Sequence, residues 1–326
     1  MSEQFSSYVL SAAGSLDNLN LVQREFPVLT ASQVLVKMEC STINPSDYLS
    51  IFGKYPVQTF PIPLGYEGSG TVVKSGGSDI ANSLLNKRVA VLTAGTWSEY
   101  AVVESQMAFP LLDSVSFEQA AGLCVNPMTV AYMIDIVKSQ NRTFVQNAAA
   151  SALGKQLTQW AKRLGIQHIN LVRRQEQVDI LRALGAEHVF NTSQEGWLQE
   201  AKKVVAEIKP SIGFDAIGGA ATIALGDLLV DEGVVHNYGL LSGENPQLSS
   251  LQLIFQQKKL VGLWLRPYLS SKDYEGRMEV GRLVQENIDI VGCKFNQETN
   301  LTGLKEALGN YMEQATNNKV LIRSRL

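Results

Sequence analysis

Cysteine is scarce in this chain and poorly placed for its usual structural work. Cys40, Cys124 and Cys293 are widely spaced, odd in number and never arranged as Cys-x-x-Cys, which argues against a disulfide framework or a Cys-rich zinc site. They read as small buried hydrophobes in a reducing compartment. Histidine is equally rare, at His168, His188 and His236. There is no run of Lys or Arg, and 28 basic against 31 acidic residues leave a net charge of −3. Neither a nucleic-acid platform nor a polybasic membrane face is therefore expected. No apolar run reaches the ~18 residues of a membrane span. The opening MSEQFSSYVLSAAG lacks a basic segment followed by a long apolar one and is not Arg-rich, so it reads as neither a secretory signal nor a transit peptide. A cytosolic protein without membrane or nucleic-acid partners is the expectation.

What is present suits a globular protein of about two domains, on the rough prior of one per ~150 residues. The chain has 326 residues, 45% of them hydrophobic and 18% charged. Residues 1 to 120 read as β-rich. QVLVKMECSTIN alternates, GSGTVVKSGG is a strand between glycines, and KRVAVLTAGTWSEYAVV is strand, turn, strand. At Ser116 the texture changes. A Ser-x-x-Gln capping box predicts a helix as far as Asn126, with Pro127 interrupting it and a second helix following.

A regular alternation then begins with the strand TFVQNA. The helix LGKQLTQWAKRLG follows, with Leu153, Leu157, Trp160, Ala161 and Leu164 on one face. HINLV, AEHVF, IGFDAIGG and VVHNYG read as further strands, separated by QVDILRALG, GWLQEAKKVVAEIK and ATIALGDLLVDEG as helices. Strands joined by helices predict an α/β unit with a doubly wound parallel sheet. Beyond about Leu265 helix and strand are mixed.

The first strand-to-helix turn of such a sheet is where a dinucleotide pyrophosphate lands, on the N-terminal amides of the helix. Here that turn is NAAASALGKQ, with Gly154 its only glycine. It fits G-x-G-x-x-G poorly, yet alanine can replace glycine in two of the three places if φ stays negative. The second strand ends in Arg173-Arg174, beginning 19 residues beyond Gly154. An acidic residue there would hold a ribose 2′-hydroxyl, whereas arginine suits a 2′-phosphate. NADPH is the expected cofactor.

INPSDYLSIFGKYP, PLGYEGSGTVV, VNPMT, NAAASALGKQLTQWAK and NYGLLSGENPQLSSLQLIFQQKKLVGLWL together resemble the zinc-free medium-chain dehydrogenase/reductase superfamily. More narrowly they look like its 2-enoyl thioester reductase branch, close to the quinone oxidoreductases. The resemblance implies a GroES-like catalytic domain over 1–120 and 266–326, a Rossmann domain over 121–265, an active site in the cleft, and a homodimer. Zinc-dependent relatives carry Cys where this chain has Asn44, His-Glu where it has Tyr66-Glu67, and a four-cysteine lobe after AVLTAGTWSEY. With both principal ligands (the Cys and the His) and the lobe missing, a metal-free catalyst is expected.

Without a metal to polarise a carbonyl, the implied reaction is reduction of a conjugated C=C, with hydride going to the β-carbon and a proton to the α-carbon. Tyr55 in FGKYP matches the tyrosine that the enoyl thioester reductases use at the reacting carbons, and quinone reductases have one there too. A phenol with a pKa of about 10 stays protonated at neutral pH and can donate. The resemblance also implies cofactor contacts. Asn44, Asn126 and Thr129 are among them, and Ala150, Ser151, Ala152 and Leu153 would cradle the pyrophosphate. Tyr238, Gly239, Leu240 and Leu241 would meet the nicotinamide through backbone groups. Leu263, Trp264 and Leu265 would lie near nicotinamide and substrate, and Lys319 at a cofactor phosphate. The substrate is a small molecule: an enoyl thioester (acyl-CoA or acyl carrier protein) first, a quinone or enone as the alternative. A nucleotide-binding relative without turnover is a further alternative. The branch usually has glycine where Ala152 stands, Asn or Gly where Ala150 stands, and a second tryptophan where LRPYL follows Trp264.

Overall fold

The computed structural model describes residues 4–56, 59–140, 143–313 and 319–326. The chain divides into two compact units, Met1–Met128 with Ser271–Leu326, and Thr129–Ser270. The sequence resemblance implies 121–265 for the inner one.

The outer unit begins with β1 (Gln4–Leu10), β2 (Leu19–Glu25), β3 (Gln33–Thr42), β4 (Ile62–Pro63), β5 (Glu67–Ser75), β6 (Arg88–Leu92), β7 (Tyr100–Glu104) and β8 (Ala108–Pro110). The inner unit holds β9 (Phe144–Gln146), β10 (His168–Val172), β11 (His188–Asn191), β12 (Ile212–Asp215), β13 (Val234–Asn237) and β14 (Lys259–Gly262). The chain then returns to the outer unit with β15 (Gln297–Asn300) and β16 (Val320–Arg323).

In the outer unit β3 is central, antiparallel to β5, β7 and β16. Alternation along β3 buries Val34, Val36 and Met38 against Val72, Val89 and Val91. A second core gathers Ile43, Ile51, Leu64 and Trp97 with Leu304, Leu308 and Ile322 of the returning segment. That segment is thus part of this unit's interior.

The capping box of Ser116 and Gln119 forms, but its helix runs only over Phe117–Ala120 instead of reaching Asn126. The amides of Cys124 and Val125 each donate to the fully buried Glu67 carboxylate at 2.9 Å. A buried anion needs such donors, and amides turned toward it cannot continue a helix. A new helix starts at Asn126 and ends at Ser139, with Pro127 inside its first turn.

The inner sheet is parallel throughout, in the order β11-β10-β9-β12-β13-β14. In chain order this is 3-2-1-4-5-6, the doubly wound arrangement that binds dinucleotides where the order reverses. The helix Ala152–Arg163 buries Leu153, Leu157, Trp160 and Ala161, as its spacing predicts, while Leu164 is its C-cap and stands exposed. Among the described residues no helix is long and apolar enough to cross a membrane.

Candidate active site

The nucleotide loop follows β9. Asn147 at the strand end donates to Asp215 Oδ1 (2.6 Å) and accepts from the Ala216 amide (2.8 Å). Asp215 also accepts from the Ile217 and Gly218 amides, Thr222 and Asn237. Burial acts to raise its pKa, but these donors, Asn147 foremost, outweigh it and hold the carboxyl below its usual value. Five donors clamp the ends of β9, β12 and β13 together, so the loop starts from a rigid base.

The turn itself is made by Ala148, at φ +47°. That is a conformation glycine adopts freely and alanine does not, so the negative φ expected for this loop is absent at one residue. Ala149 and Ala150 are buried among Val172, Val178, Leu181 and Val189. Their methyls fill the core and do not crowd the outer face of the loop. Ser151 caps the helix by accepting from the Gly154 amide (3.1 Å). The amides of Ala152 and Leu153, first in the helix, have no intrahelical acceptor and point with the positive end of the dipole. At Gly154 an added Cβ would lie 2.6 Å from the Ala149 carbonyl oxygen and 2.8 Å from that of Ala148. Glycine is therefore required there for close packing of helix on loop. Arg173 and Arg174 sit exposed at the end of β10.

The four residues after β13 are less available than expected. The Tyr238 amide donates to Asp215 O and the Leu241 amide to Ala216 O, while the Gly239 and Leu240 carbonyls accept from Asn237 Nδ2 and the Gly243 amide, which leaves the Gly239 and Leu240 amides for a ligand. Gly239 has no room for a Cβ, which would be 2.6 Å from Ala216 O. Leu263 and Leu265 are packed inside, at 6% and 8% exposure, while Trp264 between them is 48% exposed. Thr129 is buried and Asn126 half-buried.

In the outer unit the helix Pro45–Ile51 organises the chemistry. Asn44, its N-cap, is fully buried: Nδ2 donates to Glu67 Oε1 (2.7 Å) and Oδ1 accepts from Lys319 Nζ (2.7 Å). Lys319 also donates to Ile43 O (3.1 Å), lies 4.0 Å from Glu67 Oε1 and is 8% exposed. The side chains of both expected cofactor contacts, Asn44 and Lys319, are thus already hydrogen-bonded within the unit. Asn44 and the Lys319 ammonium are tied into an interior network, because a buried carboxylate demands a cation and donors of its own. Among the described residues no group of three His, Cys, Asp or Glu could hold a metal ion.

Asp47, on the inner face of this helix, accepts from the Asn44 amide (2.7 Å). Burial pushes its carboxyl up to about 8, against the pull of that amide and of Lys319. The chain leaves the helix through Gly53, at φ +72°, and presents Tyr55 half-buried. The Tyr55 ring lies 5.5 Å from that of Tyr66. Tyr66 escaped the sequence reading except as a missing zinc ligand. The signal was the aromatic in GYEG beside the buried Glu67.

A barrel-like β unit interrupted by a 3-2-1-4-5-6 sheet with a phosphate-ready turn defines a nucleotide-dependent dehydrogenase/reductase fold. Residues 30–113 match the model of the alcohol dehydrogenase GroES-like domain, and residues 152–281 that of the zinc-binding dehydrogenases. Over 281 residues the chain is 33% identical to a mitochondrial enoyl-[acyl-carrier-protein] reductase of Arabidopsis thaliana, covering 83% of this chain and 74% of that protein. A protein of the same name from Caenorhabditis elegans is 35% identical over 263 residues, 77% of this chain and 74% of its own. A crystal structure from Mesorhizobium loti, provisionally designated an NADPH:quinone reductase, superposes with a TM-score of 0.88 at 31% identity, covering 99% of both chains. The chain belongs to the medium-chain dehydrogenase/reductase superfamily, in the branch of the enoyl thioester reductases and quinone oxidoreductases.

Proposed function

We propose that this protein is an NADPH-dependent reductase of conjugated C=C bonds, with a trans-2-enoyl thioester, on CoA or acyl carrier protein, as its acceptor. One observation carries the metal-free chemistry: where other members hold zinc, Asn44 and Glu67 are engaged by the Lys319 ammonium. A second cation there would be repelled at short range. The phenol of Tyr55 is then the acid assigned to the outer unit. The choice of thioester rests on the enoyl reductases that the chain resembles at 33% and 35% identity.

The inner unit's loop fits a dinucleotide. Its outer face is free of the Ala149 and Ala150 methyls, the Ala152 and Leu153 amides would hold the pyrophosphate, and Arg173 with Arg174 would hold a 2′-phosphate through planar, charge-assisted contacts. Gly239, Leu240 and the exposed Trp264 would flank the nicotinamide and acyl group, with Asn126 and Thr129 orienting the ring. NADPH held there would supply the hydride for the β-carbon. Tyr55 holds the proton that the α-carbon takes as carbanion character develops there.

Crotonyl-CoA and a quinone compared for NADPH consumption test the substrate, and no rate with the thioester would sink the first choice in favour of the quinone. Tyr55→Phe is expected to lower turnover by ~10²-fold or more, the usual contribution of an acid catalyst, with NADPH affinity unchanged. Without saturable NADPH binding by fluorescence, the chain would be a non-enzymatic relative. Alanine at both Arg173 and Arg174 should erase the preference for NADPH over NADH.

A homodimer belongs to the same reading. β14 is an edge strand, and beside it Leu251, Ile254 and Phe255 are 60%, 65% and 76% exposed. An unpaired edge flanked by apolar surface suits pairing with a second copy. Sedimentation showing a monomer that Phe255→Asp leaves unchanged would refute it. The cytosolic placement is supported by the buried free thiols of Cys40 and Cys124, and cell fractionation tests it.

A further inference from the structure

We propose that Tyr66 is a positioning residue of the reduction, its ring serving as the platform for Tyr55 and its hydroxyl as the anchor of that platform. The inference rests on the reading of Tyr55 as the acid. Three observations carry it. The two rings stand 5.5 Å apart with a tilt of 40°, within the range where aromatic pairs attract beyond simple burial. The Tyr66 hydroxyl is 2.6 Å from Ser50 Oγ. Ser50 Oγ in turn donates to Ser46 O at 3.0 Å.

A serine hydroxyl has one proton to give. With that proton committed to Ser46, Ser50 is the acceptor and Tyr66 the donor. The direction matters, because it locks the Tyr66 ring against the helix Pro45–Ile51 by a bond that cannot reverse without breaking the Ser46 contact. Ser46 and Ser50 are one turn apart on that helix, so a single rigid element aims Tyr66 and, through Gly53, launches the segment that carries Tyr55. Burial also pushes the Tyr66 phenol up to about 12, so it stays protonated and keeps donating through the neutral range. Tyr55 itself lies on an otherwise exposed stretch, Gly53 to Pro56. A phenol that must meet one carbon needs such a support, since misplacing a reacting group by ~1 Å can cost ~10²-fold in rate.

The test is a double-mutant cycle with Tyr66→Leu, Tyr66→Phe and Tyr55→Phe, read as kcat, KM for NADPH and thermal midpoint with crotonyl-CoA. Tyr66→Leu is expected to lower kcat ~10-fold or more while KM for NADPH stays put. Tyr66→Phe keeps the ring and loses the anchor, so a smaller drop is expected. In the Tyr55→Phe background both should have little further effect, because the group they position is gone. Equal drops in both backgrounds would overturn the positioning role alone. Should Tyr66→Leu fail to fold, the Phe variant decides by the same comparison. Unchanged turnover in Tyr55→Phe itself would overturn the acid assignment and this inference with it.

Discussion

The nucleotide loop carries a glycine where space demands one and an alanine where the backbone would prefer glycine, so exchanging them should give effects of opposite sign. In Gly154→Ala the new methyl would meet the Ala149 and Ala148 carbonyl oxygens at 2.6 and 2.8 Å, and neither backbone atom can swing aside as a side-chain end could. Overpacking of this kind costs about 1–3 kcal/mol, and the gain of alanine over glycine in helix propensity, up to ~1 kcal/mol, offsets part of it. A net loss of about 1–2 kcal/mol is expected. Because the relief lies in pushing loop from helix, NADPH affinity should fall too. Ala148→Gly removes a methyl from φ +47°, a conformation that costs about 1–2 kcal/mol for an L-residue, against roughly 0.5–1 kcal/mol of extra chain entropy for glycine. It should stabilise by about 0.5–1 kcal/mol and leave NADPH binding intact. Urea unfolding followed by circular dichroism, with fluorescence titration of NADPH, reads both. If Gly154→Ala is neutral in both assays, or Ala148→Gly destabilises, the account of this loop is wrong.

Asp47 should make the fold less stable as pH rises. Its folded pKa, pushed up to about 8 from 3.8, means the native state keeps a proton that the unfolded chain releases. Stability from this group is full below pH 3.8 and is lost as pH climbs to about 8, by up to ~1.4 kcal/mol per pH unit. Asp47→Asn should flatten urea midpoints measured between pH 6 and 8; an unchanged slope would refute the assignment. At the acid end, burial holds His168 and His236 below their usual 6.5, and the Nε2 atoms of both are buried without a partner among the described residues. Below pH 6.5 the unfolded chain takes up protons that these rings refuse, so stability falls. His236→Phe, which keeps a ring beside Phe214, should lower the pH of acid unfolding, and an identical acid midpoint would exclude this cause.

The inner unit was the more legible in the sequence. Its strands and helices follow local periodicity, its glycine stops fall where helices end, and the turn's one glycine, Gly154, stands where helix packs closely on loop. The loop's remaining glycine role was not legible. Nothing local tells that Ala148 takes the left-handed turn while Ala149 and Ala150 turn inward, because the Asn147–Asp215 clamp and the packing of β10 decide it. The outer unit hid more. The helix from Ser116 was read too long, since the carboxylate that draws off the Cys124 and Val125 amides lies some 57 residues earlier in the chain.

By itself the sequence determined the order of strands and helices, the doubly wound class, the missing cysteine ligands and the phosphate-ready turn, because each depends on residues within a few positions of one another. Tertiary structure alone decided that Lys319 answers Glu67 and Asn44, 252 and 275 positions away. It alone set Tyr66 beside Tyr55 and brought its hydroxyl to Ser50. A buried charge takes its partner from whatever the fold brings near it, and that choice is written in no single stretch of the chain.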